Sequence, residues 1–176
     1  WMSIWELAKP VIAQVHGYCL AGGSELATCC DLVYMADDAQ MGYPAVRFGV
    51  PDNHFHAWFV GMRKAMEMML TGDSLSGVEC ARLGWANASF PPDQLEERVI
   101  DLANRITGVP PDLVQLNKRV VHRQMEIMGL HTGIRAGSEL CALGTHSPSL
   151  HAFMQSTREK GLKGALQERD EPFGDY

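Results

Sequence analysis

Residues 17–31 read GYCLAGGSELATCCD and place two adjacent glycines beside one carboxylate at the start of a predicted helix. The glycines are Gly22 and Gly23, and the carboxylate belongs to Glu25. A glycine inside a helix costs about 1 kcal/mol relative to alanine, so bare backbone here needs a reason. Glu25 follows Gly22 by three residues and lies close to the same helix face. The stretch therefore predicts a backbone amide and a carboxylate that face one space.

The segments on either side of this stretch predict strands. Residues 10–17 form a β-branched run that ends at glycine, and residues 32–35 form a second run. Between them we predict a helix over residues 22–30, and a short β segment is expected near Met41. The helix is expected to face a core with an apolar stripe of Leu26, Cys29 and Cys30. Strand, glycine turn, helix and strand in this order predict an α/β protein.

The rest of the chain predicts helices. One runs over residues 62–70 and stops at Gly72, and the next begins at an N-cap Asp73 or Ser74 and ends near Gly84.

Two Pro-Pro-Asp sequences, at residues 91–93 and 110–112, each start a further helix. The apolar faces of these helices are Leu95, Val99, Leu102, Ala103 and Ile106 in the first, and Leu113, Leu116, Val120 and Val121 in the second. The predicted strands lie in the N-terminal part of the chain and the C-terminal part is helical. This distribution favours C-terminal helices that pack on another subunit.

Composition predicts a soluble globular protein and excludes several classes of partner. The chain has 176 residues, a net charge of −6 and 46% hydrophobic residues. Its basic residues are scattered and no stretch approaches about 18 apolar residues, so we expect neither a nucleic-acid nor a membrane partner. The five cysteines are odd in number and form no C-x-x-C pair. We therefore predict reduced thiols, a cytoplasmic location and no metal site.

Four kinds of site place glycines before a helix. The spacing fails for a dinucleotide fingerprint, and a P-loop would need a lysine that is absent. A nucleophile elbow around Ser24 fails because Leu26 replaces its last glycine. The best fit is an oxyanion hole, in which a helix N-terminal amide stabilises developing negative charge by roughly 3–4 kcal/mol. The alternative is that the glycines let strand and helix pack closely while Glu25 complements the helix dipole.

Residues 9–50 resemble the centre of the enoyl-CoA hydratase/isomerase (crotonase) family. They read KPVIAQVHGYCLAGGSELATCCDLVYMADDAQMGYPAVRFGV, against a family pattern K-P-V-I-A-x-V-x-G-x-x-x-G-G-G-x-E-L-x-x-x-C-D. Residues 65–95 are similar to a second family segment. The resemblance implies a spiral of ββα turns, with residues 1–108 as the C-terminal part of its core. It also implies that residues 109–176 form helices that assemble homotrimers or homohexamers.

The resemblance implies an acyl-CoA thioester substrate and no cofactor, since coenzyme A is part of the substrate. Family members stabilise an enolate-like oxyanion with two backbone amides. Gly22 matches the second of these amides, and the first lies in an N-terminal part that this chain does not contain. Glu25 matches the first of two glutamates in family hydratases. Gly23, Pro44 and Ala45 are expected to contact the substrate.

Ala45 departs from the family pattern, because it occupies the place of the second glutamate and cannot move a proton. We predict an enoyl-CoA hydratase-like lyase in which Glu25 alone holds the water and returns its proton. Isomerisation, thioester hydrolysis and a non-catalytic acyl-CoA-binding trimer stay open as alternatives.

Three nearby side chains are candidates for a compensating role, and a fourth is a candidate for binding the substrate. Asp52, His54 and His56 follow the position of the lost glutamate closely in sequence. For the histidines, the alternative is a surface or packing role. Arg47 could pair with a substrate carboxylate or phosphate, and the alternative is a solvated arginine.

Overall fold

The structure is a computed structural model that describes residues 1–50 and 56–176. In these ranges the chain forms two three-stranded sheets, eight α-helices and two 3-10 turns. The strands are β1 Ile12–Val15, β2 Tyr18–Leu20, β3 Leu32–Ala36, β4 Gln40–Gly42, β5 Leu75–Ser76 and β6 Ala88–Phe90. The helices are α1 Met2–Trp5, α2 Gly22–Thr28, α3 His56–Thr71, α4 Gly77–Leu83, α5 Leu95–Thr107, α6 Pro111–Ile127, α7 Leu130–Gly144 and α8 Pro148–Asp170.

Parallel pairing predominates in both sheets. In the first sheet β3 lies between β1 and β6, and both neighbours run parallel to it. In the second sheet β4 pairs parallel with β2 and antiparallel with β5. Helix α2 connects β2 to β3. The predicted first strand is β1, and the sequence did not predict β2, which lies between β1 and α2. The predicted β segment near Met41 is β4, and the mixed α/β class is confirmed.

The predicted core face of α2 is only partly right. Cys29 is buried, but Leu26 is 40% exposed. The helix instead buries polar side chains, among them Ser24 and Thr28. Thr28 Oγ1 donates to the Ser24 carbonyl and accepts from Trp85 Nε1 at 2.9 Å. These hydrogen bonds offset the cost of burying hydroxyl groups, which a hydrophobic pattern does not reveal.

The cap of α4 is Ser76, not the predicted Asp73 or Ser74. Residues 75–76 form β5 against β4, so the helix starts later. Ser76 Oγ accepts from the Glu79 amide at 3.2 Å, and the Glu79 carboxylate accepts from the Ser76 amide at 3.3 Å. This is a capping box, which satisfies two backbone donors reciprocally.

The predicted helix over residues 62–70 starts earlier, at His56, with a break at Gly61. Helices α5 and α6 follow the two Pro-Pro-Asp sequences as expected. The apolar face of α5 packs inward through Leu95 and Val99. The apolar side chains predicted for α6 are exposed by 46–60%: Leu113, Leu116, Val120 and Val121.

Helix α6 attaches to the sheets through charge. Lys118 and His122, both buried, face Asp31 at the start of β3. Asp31 Oδ2 accepts from Lys118 Nζ at 2.8 Å and from the Val11 amide at 2.7 Å. The His122 ring lies 3.0 Å from Asp31 Oδ1 and stacks on Trp5 with a centroid separation of 3.8 Å. Asp31 therefore joins α6 to the beginnings of two parallel strands.

Burial lowers the pKa of His122 below its usual value. The Asp31 carboxylate opposes this effect, while the positive charges of Lys118 and Arg119 add to it. The ring is therefore held in its neutral form more strongly in the folded protein than in the unfolded chain.

The turn into α2 holds a non-glycine residue in a conformation that favours glycine. Ala21, the N-cap, has φ 49° and ψ −120°. Its amide donates to the Gly42 carbonyl at 2.9 Å, and its carbonyl accepts from Ser24 Oγ and from the Glu25 amide. Positive φ costs an alanine roughly 1–2 kcal/mol. The hydrogen bonds of Ala21 therefore keep a strained backbone conformation next to Gly22.

Ala21→Gly should raise the free energy of unfolding by about 1 kcal/mol, because glycine adopts positive φ without steric cost. Urea denaturation measures the change. Ala27→Gly in the same helix is the control and should lower stability, since Ala27 is buried in a helical conformation. Equal destabilisation by both variants would contradict a strained turn.

Acid should weaken the fold through His122. Because its pKa is depressed on folding, the unfolded chain binds the extra proton first, and stability falls as pH drops from about 7 towards about 5. His122→Phe keeps a ring against Trp5 and should flatten this slope. His151→Phe on the exposed face of α8 is the control and should leave the slope unchanged. Urea unfolding over this pH range tests the prediction, which a His122→Phe slope equal to that of the unsubstituted protein would refute.

Candidate active site

The parallel register of β2 and β4 brings two distant segments of the sequence together. Leu20 and Gly42 are paired at the carboxyl end of both strands. The chain continues from β2 into α2, which carries Gly22 and Glu25. It continues from β4 into a 3-10 turn, Pro44–Phe48. The predicted site residues of both segments therefore lie at one end of the strand pair.

Packing in the described part of the chain does not require glycine at positions 22 and 23. A Cβ on Gly22 would lie 3.9 Å from Trp1 Cζ2, and one on Gly23 would lie 3.8 Å from Cys19 Sγ. Both distances are ordinary van der Waals contacts, and neither glycine has a positive φ. By contrast, a Cβ on Gly77 would clash with the Ala36 carbonyl. The interpretation that the two glycines permit close packing is wrong.

Glu25 lies in the first turn of α2 with only 7% of its surface exposed. The indole Nε1 of Trp1 donates a hydrogen bond to Glu25 Oε2 at 2.8 Å. A carboxylate that only complemented the helix dipole could stay at the surface. It would need neither the burial nor the indole donor that Glu25 has. Sequence reasoning missed Trp1, because a single tryptophan 24 residues away carries no motif signal.

Ser24 is fully buried, and its hydroxyl donates to the Ala21 carbonyl at 2.8 Å. The hydroxyl thus serves the turn into α2 and does not face solvent as an elbow serine would. This agrees with the sequence analysis, which rejected a nucleophile elbow.

Pro44 and Ala45 are both buried in the 3-10 turn that follows β4. A methyl group is all that position 45 presents, so no carboxylate lies there. His56 at the start of α3 is 2% exposed. Its ring makes edge-on contacts with Trp85, at a centroid distance of 4.8 Å, and with Tyr43, at 5.9 Å. The buried His56 ring thus packs against Trp85 and Tyr43, while Asp52 and His54 lie outside the described residues.

Arg47 is neither solvated nor open to a substrate, so both interpretations of it are wrong. Its side chain is 2% exposed and donates to Asp170 at 2.9 Å and to Asp175 at 2.7 Å. It also donates to the Thr71 carbonyl at 2.8 Å, and its guanidinium lies over the Phe173 ring. Burial alone would lower the pKa of Arg47, but the two carboxylates outweigh it and raise the pKa. Arg47 thus fixes the site's 3-10 turn to the C-terminal segment.

A separate cavity of about 430 Å³ lies beside the Asp31 cluster. Its walls are mainly apolar, with contributions from Phe59, Ile106 and Val121. None of the predicted site residues that the structure describes lines it. The cavity therefore belongs to the attachment of α6 and not to the site at the end of β2 and β4.

The described residues contain neither a metal-binding cluster nor a membrane-spanning helix. No group of three or more His, Cys, Asp or Glu side chains there is arranged to hold a metal ion. No helix in residues 1–50 and 56–176 has the length and apolarity needed to cross a bilayer. All five cysteines are described, and each is a free thiol.

Known proteins match this chain in sequence and in structure. The profile of the enoyl-CoA hydratase/isomerase family matches residues 1–175. The mitochondrial enoyl-CoA hydratase of Pongo abelii is 30% identical over 179 residues, which cover 99% of this chain and 59% of that protein. The hydroxycinnamoyl-CoA hydratase-lyase of Pseudomonas fluorescens is 32% identical over 131 residues, covering 72% of this chain and 48% of that protein.

A crystal structure of enoyl-CoA hydratase from Mycobacterium smegmatis superposes with a TM-score of 0.95 at 33% identity, covering 99% of this chain and 60% of that one. This chain thus spans about half to three-fifths of the length of the relatives it matches. The predicted crotonase-like fold, with helices at its C-terminal end, is confirmed. The chain belongs to the enoyl-CoA hydratase/isomerase family.

Proposed function

We propose that this protein is an enoyl-CoA hydratase-like lyase that acts on an acyl-CoA thioester. One observation carries the proposal: α2 begins with two glycines, Gly22 and Gly23, although a Cβ at either position would not clash with any described residue. A buried carboxylate, Glu25, follows within one helical turn. The names of the relatives, which are hydratases of CoA esters, support the same substrate class.

The Gly22 amide is proposed to bind the thioester oxygen. The first amides of a helix have no acceptor within the helix and lie at the positive end of its dipole. Without a Cβ, the substrate carbonyl can approach this amide closely. Such a donor stabilises the developing oxyanion by roughly 3–4 kcal/mol. Gly23, Pro44 and Ala45 are proposed to line the bound acyl group.

Glu25 is proposed to carry out both proton transfers. As the water oxygen attacks the β carbon, Glu25 takes one water proton, and the electrons of the double bond move towards the thioester oxygen. Glu25 then returns that proton to the α carbon, so that H and OH of one water are added. Losing a second acid–base group costs roughly 10²–10⁴-fold in rate. The reaction is therefore expected to be slow, and it requires no cofactor beyond the coenzyme A of the substrate.

A homotrimer or homohexamer is part of the proposal. The exposed apolar side chains of α6, including Leu116 and Val120, support contact with a second copy of the chain. We assign this role to residues 109–176 and the core role to residues 1–108. The cytoplasmic location, based on the use of cysteine, stays a prediction.

Isomerisation is the second candidate, and Ala45 favours it, while thioester hydrolysis stays a further alternative. Moving a proton between two carbons of one substrate needs one carboxylate that takes the proton and gives it back. Glu25 meets that need without a second glutamate at position 45. Product identification by mass spectrometry separates these outcomes, because hydration adds the mass of water, isomerisation adds nothing and hydrolysis releases a free acid.

Glu25→Gln should reduce hydration of crotonyl-CoA or a longer enoyl-CoA at least about 100-fold, because the amide cannot take a proton from water. Loss of the enoyl-thioester absorbance measures the rate in the full-length protein. Undetectable turnover by the unsubstituted protein on every chain length would refute a hydratase. Ester binding that Glu25→Gln leaves unaffected would then support the non-catalytic trimer.

Gly22→Ala should lower turnover without lowering the stability of the fold. The added Cβ meets only Trp1 at contact distance, so stability should stay equal or rise by up to about 1 kcal/mol. Turnover should fall, because the methyl group would stand where the thioester oxygen approaches. Gly77→Ala is the contrasting control and should destabilise the fold through its clash with Ala36. Full activity of Gly22→Ala would contradict the proposed amide.

A further inference from the structure

We infer that Arg47 is a positioning residue for the bound acyl group, and that the C-terminal segment, residues 170–176, holds it in that role. This inference rests on the proposed function, in which Pro44 and Ala45 line the acyl group. Arg47 itself does not touch the substrate. It sets the place of the 3-10 turn that presents Pro44 and Ala45.

Every N–H donor of the Arg47 guanidinium has an acceptor outside the turn. Nε donates to the Thr71 carbonyl at 2.8 Å, and Nη1 donates to Asp170 at 2.9 Å and to Asp175 at 2.7 Å. Nη2 donates to Asp73 at 3.0 Å and to the second carboxylate oxygen of Asp175 at 2.7 Å. These bonds use all the donors that a guanidinium has. Arg47 can therefore act on the site only through the backbone that carries it.

The C-terminal segment meets the guanidinium through one aromatic ring and two carboxylates. The pair between Arg47 and Asp175 is bidentate, which fixes the orientation of both groups. The Phe173 ring lies on the guanidinium, with its centroid 3.8 Å from Cζ. Asp170 also accepts from Arg169 at 2.7 Å, so it stays paired when Arg47 is removed.

Backbone hydrogen bonds of the turn are local. The Val46 amide donates to the Tyr43 carbonyl at 3.3 Å, and the Val50 amide donates to the Ala45 carbonyl at 3.4 Å. These bonds shape the turn but do not connect it to the C-terminal part of the chain. The connection is made by the residues at the end of the turn.

Three consecutive residues seat the end of the turn. Arg47 meets the C-terminal segment, and the Phe48 ring stacks on Phe153 of α8 with a centroid separation of 4.3 Å. A Cβ on Gly49 would clash with the Ser147 hydroxyl, which caps α8, so the chain lies directly against the start of this helix. The turn is therefore placed by α8 and the segment that follows it.

Pro44 and Ala45 lie between two fixed points. On one side β4 ends at Gly42, which is paired with Leu20. On the other side Arg47 is held by the C-terminal segment. A shift at Arg47 would move the proposed acyl contacts, and a misplacement of about 1 Å can cost about 100-fold in rate.

Asp175→Asn in the full-length protein tests this role, because it removes the charge of the bidentate partner and leaves Arg47 in place. By calorimetry we expect the Kd of butyryl-CoA, a saturated ester that cannot be hydrated, to rise about tenfold. KM for crotonyl-CoA should rise similarly and kcat should change less than about threefold, since the acyl contact is made before and during the reaction. A loss of folded protein alone would lower the apparent kcat and leave Kd unchanged.

Glu168→Gln is the matched control. It makes the same change from acid to amide in α8, where Glu168 pairs with Lys160 at 2.8 Å and both side chains are half exposed. An exposed pair of this kind contributes little, so Kd and KM should stay within about twofold of those of the unsubstituted protein.

A double-mutant cycle tests whether Asp175 acts through Arg47. The variant Arg47→Met combined with Asp175→Asn should bind butyryl-CoA no more weakly than Arg47→Met alone. Arg47→Lys keeps the charge and takes the place of Arg47→Met in the cycle if the latter does not fold. Additive losses would overturn the inference, and so would a Kd that Asp175→Asn leaves unchanged.

Binding and turnover together distinguish this inference from the proposed function. Weaker binding of butyryl-CoA by Asp175→Asn, in a protein that turns over no enoyl-CoA, would support the positioning role and contradict the hydratase. Hydration of crotonyl-CoA with a KM and Kd that Asp175→Asn does not change would support the hydratase and overturn the positioning role. No binding of butyryl-CoA by the unsubstituted protein would overturn both.

Discussion

The pairing of Leu20 with Gly42 is the constraint on which the site depends. In a parallel pair both strands end at the same edge, so whatever follows each strand meets there. Here α2 follows one strand and the 3-10 turn follows the other. The Ala21 amide extends the pairing by one more bond, to the Gly42 carbonyl. A shift of the register would move Glu25 away from Pro44 and Ala45 and would dissolve the site.

Features that cost stability are concentrated at this edge. Ala21 holds a positive φ, two glycines weaken the helix start, and Glu25 is a buried carboxylate. Each of these would be absent if the turn only had to join a strand to a helix. Their coincidence with a glycine at position 22 that no described neighbour requires is the physical reason to place a ligand there.

Charged clusters away from the site hold its surroundings in place. Asp31 ties α6 to the beginnings of β1 and β3, and Arg47 ties the 3-10 turn to Asp170 and Asp175. In both clusters a buried cation meets carboxylates from residues far away in the sequence. Hydrogen bonding to Arg47 lowers the pKa of Asp175, so this attachment loosens only when acid protonates the carboxylate. Long-range ion pairs of this kind leave no local signal in a sequence.

Sequence by itself determined the α/β class, the helix that begins at Gly22 and the place of Glu25 in its first turn, because these depend on spacing within a few residues. It also identified Ala45 as a departure from the family, since a motif fixes that position. Only the tertiary structure decided that Arg47 is a buried clamp, that Leu26 faces outward and that Trp1 meets Glu25. Those outcomes depend on which distant groups satisfy a charge or a hydrogen bond, and the folded chain alone brings such groups together.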